Sequence, residues 1–168
     1  MPVEFKDNSI HVNAEIDAVT TAWLYEAASE IEARAKMNTA SSGGSGLKDK
    51  WKNVVDEKKG EAVVGHPWQL AIWYEFGTGS HALNGDGRKG WWVYVKDDRN
   101  GKSSEYVYKG GKAYTKQDAI SIARFLREKG LDAHATDGMQ PHRPLQKAFE
   151  TARKPLIELL ESRLKGMK

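Results

Sequence analysis

Cysteine is absent from the 168 residues of this chain. Without thiols, disulfide bonds and thiolate metal sites are excluded, which is consistent with a reducing compartment. Long apolar runs are missing too, because no hydrophobic stretch approaches the roughly 20 residues that a membrane-spanning helix needs. Residues 1–7 lack the apolar centre of a signal peptide. We therefore expect no secretion signal and no membrane partner.

A strong charge imbalance is also missing. The 26 basic and 23 acidic side chains give a net charge of 26 − 23 = +3, which is too small by itself to indicate a dedicated nucleic-acid-binding protein. Hydrophobic residues make up 39% and charged residues 29%, as in globular proteins. A chain of this length can bury one real core, so we interpret 1–168 as a single domain.

Motifs for metal or cofactor chemistry are missing as well. The five histidines are scattered, without an HExxH motif or an i,i+4 pair, so converging zinc ligands are not predicted. They are His11, His66, His81, His134 and His142. The glycine-rich segments 43–46, 77–80 and 85–89 lack the phosphate-loop pattern, and residues 97–101 lack the ligand spacing of a calcium loop. We therefore expect no metal and no cofactor.

The sequence contains no recognisable catalytic constellation, so we expect a protein that is not an enzyme. Paired carboxylates and a nucleophile elbow are both missing. Glu75 is the carboxylate of most interest, because it lies between aromatic residues. If it is partly buried, it needs a partner such as Arg143 or the backbone amides of 77–79. The alternative is that Glu75 faces solvent, as most glutamates do.

Two long amphipathic helices are predicted near the ends of the chain. Apolar residues recur at helical spacing over 14–38, with Asn13 as the N-cap and an extended opening over 3–12. The second helix begins at Pro144, and Pro155 inside it should cause a kink. Their apolar stripes should meet one face of a sheet. The residues expected to be buried there are Trp23, Ile31, Phe149, Leu156 and Leu160.

Shorter elements are predicted between the two long helices. The predicted strands cover 51–55, 61–65, 91–95 and 105–108, the last two as a hairpin around Asn100-Gly101. The predicted helices cover 68–76, between Pro67 and Gly77, and the segment from the capping pattern at Thr115 to Gly130. Residues 41–46 and 131–143 should be irregular. We expect 41–46 and the hairpin tip 96–104 to be mobile in a free subunit.

Three short motifs occur in a fixed order between these long helices. The first is Ser45-Gly46-Leu47-Lys48-Asp49, the second is Trp73-Tyr74-Glu75-Phe76-Gly77-Thr78-Gly79, and the third is Gly138-Met139-Gln140-Pro141-His142-Arg143-Pro144-Leu145. In this order the chain resembles the tail-completion and head–tail joining proteins of long-tailed bacteriophages. That family has a YxEFGTG-like core, an upstream G-L-basic-D step and a late Q-P-x-x-P-L/F step into the last helix.

The resemblance implies a fold and a function. It implies an α+β fold, in which an antiparallel sheet is packed by the long N-terminal and C-terminal helices, with an inserted hairpin arm and helix over 96–134. It also implies a structural virion protein, assembled in the host cytoplasm as a ring, usually of six copies. Such a tail-completion, tail-terminator or neck ring joins the tail tube to the head-connector proteins, and DNA passes through its lumen without sequence-specific binding.

The motif positions carried over by the resemblance are structural and interface positions. They are Tyr74, Glu75, Phe76, Gly77, Thr78 and Gly79 in the central motif, and Gln140, Pro141, Arg143, Pro144 and Leu145 in the late motif. We predict that the two motifs lie close together, because the glycines permit a sharp turn and close approach while the prolines stiffen the late segment.

Two rival functions come from other classes. One is a small hydrolase that uses Glu75 and a histidine. The other is a monomeric nucleic-acid-binding module that uses basic side chains and exposed tryptophans. Size under native conditions separates them from the ring, because the ring must assemble and neither rival needs to do so.

Overall fold

The computed structural model describes residues 9–97, 102–106 and 113–167. These residues adopt the predicted α+β fold, with two antiparallel sheets, β1–β2 and β4–β3–β5. The helices are α1 (Ser9–Ser41), α2 (Ser45–Lys48), α3 (Gln69–Phe76), α4 (Lys116–Glu128) and α5 (Pro144–Lys165). The strands are β1 (Lys52–Asp56), β2 (Glu61–Gly65), β3 (Trp92–Asp97), β4 (Lys102–Tyr106) and β5 (Ala133–Thr136).

The chain forms two compact units. The first comprises the chain up to Ala71 together with the chain from Arg143 onward, and it contains both long helices and the β1–β2 sheet. The second comprises Ile72–His142 and contains α4 and the three-stranded sheet. The interpretation of 1–168 as a single domain with an insertion over 96–134 stays a prediction.

Helix α1 is longer than predicted at both ends. It begins at Ser9, so Asn13 lies inside the helix and is not its N-cap. The extended opening predicted over 3–12 is therefore wrong from residue 9, and residues 3–8 lie outside the described residues. The helical spacing of apolar residues already continues back to Val12, a signal that the favourable cap at Asn13 concealed.

The two long helices pack along a seam of small residues in the first unit. Ala27, Ala152 and Leu156 form its buried centre, and Trp23 and Ile31 pack against them. Small side chains let two helix backbones approach closely, and the larger residues fill the sides of the contact. A hydrogen bond from Trp23 Nε1 to the Leu156 carbonyl oxygen, 2.7 Å long, adds a directional tie across the seam.

A buried tryptophan anchors the carboxyl end of α1. Trp51 is 4% exposed and clusters with Ala35 and Ala148, both fully buried. Its Nε1 donates a 2.8 Å hydrogen bond to Thr39 Oγ1, which donates in turn to the Ala35 carbonyl oxygen at 2.7 Å. Every polar atom of this chain of bonds has a partner, so the indole is buried without an unsatisfied donor.

The β1–β2 hairpin confirms both strands predicted in this region. The strands pair antiparallel from Lys52 opposite Gly65 to Asp56 opposite Glu61. Helix α1 packs against both strands. The segment 41–46, predicted to be irregular, contains the end of α1 and the start of the short helix α2, so that prediction was partly wrong.

Helix α5 begins at Pro144 as predicted, but the prediction for Phe149 was wrong. Phe149 is 50% exposed, whereas Leu156 is buried and Trp23, Ile31 and Leu160 are half-buried. Ala148 and Ala152 occupy the seam because α1 approaches too closely for a larger residue. The helix continues on both sides of Pro155, and a kink there stays a prediction.

The second unit is built on strand β3, which pairs with β4 on one side and β5 on the other. The β3–β4 hairpin was predicted, although its tip at Asn100-Gly101 lies outside the described residues. Strand β5 was not, because Ala-His-Ala-Thr lacks the β-branched and aromatic content that marks a strand. The loop predicted over 131–143 is therefore wrong at 133–136.

Helix α4 covers this sheet and buries its alanine face. Ala119, Ala123 and Leu126 cluster with residues of β3 and β5. The predicted cap is present, since Thr115 Oγ1 accepts a hydrogen bond from the Asp118 backbone N–H at 3.2 Å.

None of the helices in the described part of the chain combines the length and the hydrophobicity of a membrane-spanning segment.

The seam predicts contrasting effects for two residues of α5. Leu156→Ala should lower the free energy of unfolding by about 2–5 kcal/mol, because it leaves a cavity beside α1. Phe149→Ala should lower it by about 1 kcal/mol or less, because half of that side chain is already in water. Urea denaturation of the two variants measures both changes. A loss at Phe149 as large as that at Leu156 would contradict this packing.

Candidate functional site

The central and late motifs meet within the second unit, where residues 74–81 and 136–142 form what we call the corner. Two hydrogen bonds of 2.9 Å join Thr78 and Met139. The Thr78 backbone N–H donates to the Met139 carbonyl oxygen, and the Met139 N–H donates to Thr78 Oγ1. The His142 N–H donates to the Tyr74 carbonyl oxygen at 2.9 Å, and the two rings stack with centroids 4.3 Å apart. The predicted proximity of the two motifs is confirmed as far as His142.

Gly77 turns the chain out of helix α3 and into the corner. Its φ of 73° is left-handed, and its N–H donates to the Trp73 carbonyl oxygen at 2.8 Å, as expected of a glycine that ends a helix. A Cβ at this position would lie 2.9 Å from the Met139 carbonyl oxygen and 3.0 Å from Pro141 Cδ. The late motif therefore packs directly on the backbone of the central one.

Gly79 is the point of closest approach. Its φ is 62°, and an added Cβ would overlap the Asp137 carbonyl oxygen and lie 2.7 Å from the Trp92 ring. A Cβ at Gly87 would in turn overlap the Gly79 carbonyl oxygen. The glycine-rich composition of 85–89 favours a loose loop, but Gly87 is part of this packing, so that interpretation is wrong for Gly87. Gly85, with φ of 73°, has no atom within 4 Å of its Cβ position.

A polar cluster beside the glycines closes the corner. The Ser80 N–H and hydroxyl both donate to the Asp137 carbonyl oxygen, at 2.8 and 3.1 Å. His81 Nε2 lies 3.3 Å from Asp137 Oδ1, and Gln140 Nε2 lies 2.9 Å from His81 Nδ1. A neutral imidazole protonated on Nε2 satisfies both contacts, because it donates to the carboxylate and accepts from the amide. Sequence reasoning missed this cluster, although polar residues directly flank both motifs.

The electrostatics of the cluster favour an ionised Asp137. Partial desolvation raises its pKa, but hydrogen bonds from Ser80 and His81 stabilise the carboxylate and hold the pKa below its ordinary value. The Ser80 hydroxyl is also 3.2 Å from Asp137 Oδ2, so serine and histidine both bond to the carboxylate and not to each other. This arrangement differs from a nucleophilic triad, in which the imidazole must reach the hydroxyl.

Helix α3 buries a carboxylate and exposes bulky apolar side chains, which is the opposite of an ordinary surface helix. Tyr74 and Glu75 are each 8% exposed, whereas Ile72, Trp73 and Phe76 are 57%, 44% and 45% exposed. The burial of Glu75 confirms the prediction that this side chain is at least partly buried, and the alternative that it faces solvent is wrong. That Arg143 is its partner stays a prediction. Exposed bulky apolar side chains in one place mark a surface that contacts something else.

The last three residues of the late motif belong to the first unit. Arg143 precedes α5 and has a φ of 55°, a left-handed conformation that is unusual for a residue with a side chain. Pro144 is buried, and its carbonyl oxygen accepts a 3.0 Å hydrogen bond from Asn38 Nδ2. Leu145 packs against the cluster around Trp51. These residues fix the start of α5 on α1.

Two other kinds of candidate site, a metal centre and a ligand-binding groove, find no support in the described residues. Among the described residues, no three histidine or acidic side chains are grouped as a metal site would require. A groove of about 500 Å³ lies between α1 and α5, and its acidic residues Glu26 and Glu30 are paired with Arg163 and Arg34. No residue of the corner lines this groove.

No protein-family model, no curated protein and no solved structure matches the chain.

The corner predicts a difference between two glycines with similar backbones. Gly79→Ala and Gly85→Ala both place a side chain at positive φ, which costs about 1 kcal/mol or more. Only the Gly79 variant also forces a methyl group into the Asp137 carbonyl, so it should lose several times more free energy of unfolding. Thermal and urea denaturation measure both variants. Equal losses would mean that the corner is not closely packed.

The lowered pKa of Asp137 predicts that the stability of the folded protein depends on pH. A carboxylate with a lowered folded pKa stabilises the protein above its unfolded pKa of about 3.9, and this stabilisation is lost as the pH falls through the lower folded value. Asp137→Asn should therefore lower the urea midpoint at about pH 5, and this difference from wild type should shrink by about pH 3. A difference that grows on acidification would contradict the arrangement.

Proposed function

We propose that this chain is a structural virion protein of a long-tailed bacteriophage, in the tail-completion, tail-terminator or neck class. In this role copies of the chain form a ring, six in the family pattern, that joins the tail tube to the head-connector proteins. DNA passes through the lumen without sequence-specific binding. The protein is not an enzyme, is assembled in the host cytoplasm and resides in the virion.

The observation that carries this proposal is the construction of the corner from the motif residues. Gly77, Thr78 and Gly79 bring two chain segments together through main-chain hydrogen bonds and close backbone packing. Gln140 and Pro141 complete the same corner. Motif residues used in this way set a shape, as a part of an assembly requires, and do not present a reactive group to a substrate.

The exposed apolar surface is a second observation in favour of assembly. Ile72, Trp73 and Phe76 are joined by Leu83, which is 50% exposed and whose N–H donates to the Phe76 carbonyl oxygen at 2.9 Å. A soluble monomer gains nothing by exposing four bulky apolar side chains together, whereas a subunit of a ring buries them on assembly.

The rival functions find less support in this geometry. A hydrolase would need Glu75 and a histidine at an accessible cleft, but Glu75 lies on the buried face of α3. Both ring nitrogens of His81 face partners inside the corner. A nucleic-acid-binding module would need basic side chains beside the exposed aromatic residues, and the segment 72–85, which contains Trp73 and Phe76, has no lysine and no arginine.

The proposal predicts rings of the purified chain. Electron microscopy and light scattering after size-exclusion chromatography should show a closed oligomer whose yield rises with concentration. Gly79→Ala should reduce the yield of rings, whereas Gly85→Ala should not. A monomer at every concentration would contradict the proposal, as would a hydrolytic activity that Glu75→Gln abolishes while assembly is retained.

A further inference from the structure

The first ten residues of α1, 9–18, form what we call the arm, a helical segment with exposed side chains. Every one of them is exposed, including Ile10 at 81%, Val12 at 49% and Ile16 at 40%. The arm extends a helix that is packed further along, so its residues are added by propagation alone, and its β-branched residues Val12 and Ile16 have low helix propensity. A surface that covers the apolar side of the arm would therefore stabilise it.

The apolar stripe of the arm continues the seam between α1 and α5. Val12, Ile16, Val19 and Trp23 follow at spacings of four, three and four residues, on the side of α1 that packs on α5 further along. Two ties join this end of the seam: Trp23 Nε1 donates to the Leu156 carbonyl oxygen at 2.7 Å, and Arg163 Nη2 lies 2.7 Å from Glu26 Oε2. Before Val19 the stripe is open, although its pattern is that of a helix–helix contact.

The apolar patch of the second unit, formed by Ile72, Trp73, Phe76 and Leu83, also lacks a cover. About half of each side chain is exposed, which leaves on the order of 400 Å² of apolar surface if each side chain presents roughly 150–250 Å². That is about half of the roughly 800 Å² that one partner contributes to a stable interface. The segment 72–85 contains no lysine, arginine or aspartate, and its one glutamate, Glu75, is buried, so this segment adds no exposed carboxylate or ammonium group to the patch.

We propose that the arm of one copy docks on the apolar patch of a second copy of this chain, helix against helix. The inference rests on the proposed function, since it supplies the two different surfaces that a closed ring requires of each subunit. Val12 and Ile16 lie against Trp73 and Phe76 of the next copy. Both surfaces are open to solvent in a single chain, and the contact buries the stripe and the patch together.

The arm fits the patch better than the other exposed apolar flank of the chain does. On α5, Phe149, Ile157 and Leu164 are exposed, but charged residues lie among them. Those charged residues are Glu150, Arg153, Lys154, Glu158 and Glu161. Burying this flank against an apolar patch would remove water from these charges, including the exposed pairs Lys154–Glu158 at 3.9 Å and Lys165–Glu161 at 3.6 Å. On the arm, Glu15 and Asp17 lie on either side of the stripe, where they can stay in water while Val12 and Ile16 are buried.

Cysteine cross-linking tests the contact directly, because the chain has no cysteine of its own. Two single variants, Ile16→Cys and Phe76→Cys, are mixed, allowed to assemble and mildly oxidised. A disulfide between the two variants, seen as a covalent dimer of mixed composition by mass spectrometry, is the expected result. The control pairs Phe76→Cys with Met37→Cys, which is 70% exposed on the same helix as the arm and should give at least tenfold less mixed dimer.

The possible outcomes of the cross-linking distinguish a failure of the docking from a failure of the proposed function. If wild type forms a closed oligomer but the mixed dimer does not exceed the control, the docking is overturned and the ring stands. A dominant Phe76–Phe76 dimer overturns it as well, because two identical patches would then face each other. If wild type remains monomeric and the mixed Ile16→Cys and Phe76→Cys variants give no cross-link, the proposed function and the docking both fail.

Charge substitution gives a second measurement that does not depend on oxidation. Ile16→Arg and Phe76→Arg place a charge at already exposed positions, so each should fold with an unchanged circular dichroism spectrum and reduce the oligomer fraction at least tenfold. Met37→Arg should leave both unchanged. An oligomer fraction unaffected by either of the first two substitutions would overturn the proposal.

Discussion

The close approach of two backbone segments at Gly79 is the constraint on which the second unit depends. The Asp137 carbonyl occupies the space that a side chain at Gly79 would need, and main-chain hydrogen bonds from Thr78 and Ser80 hold the segments at that distance. Such bonds form with almost any sequence, but the approach itself requires glycine. Because Gly77 ends α3 at this point, the corner also determines which face of α3 is buried.

The first unit uses the same principle with different residues. Ala27, Ala35, Ala148 and Ala152 let α1 and α5 approach until larger side chains no longer fit between them. Dispersion and the hydrophobic effect then act over the length of both helices, while Trp51, hydrogen-bonded to Thr39, closes one end. Small residues therefore carry the packing in both units, and many bulky residues are left on the outside.

That distribution connects the fold with assembly. In α3 the polar Glu75 lies inside and Ile72, Trp73 and Phe76 lie outside, so the helix satisfies the rules of amphipathic packing only when a second surface is present. The arm of α1 has the same property, with an exposed apolar stripe among the described residues. Two different exposed apolar surfaces on one chain are what the proposed contact between copies needs.

Local patterns were enough to predict many of the helices and strands. The spacing of apolar residues fixed the long helices, Thr115 and Gly77 fixed helix ends through capping, and the hairpins followed from β-prone pairs around turns. Which side of each helix is buried depends on tertiary packing, because periodicity marks an apolar stripe without indicating what packs against it. Phe149 therefore proved more exposed than its pattern indicated, and Ala-His-Ala-Thr became a strand through its pairing with β3. The cluster around Asp137 joins residues as far apart in sequence as His81 and Asp137, which are 56 positions apart. The tight packing at Gly87 forms where the chain folds back on Gly79. No local pattern encodes either contact.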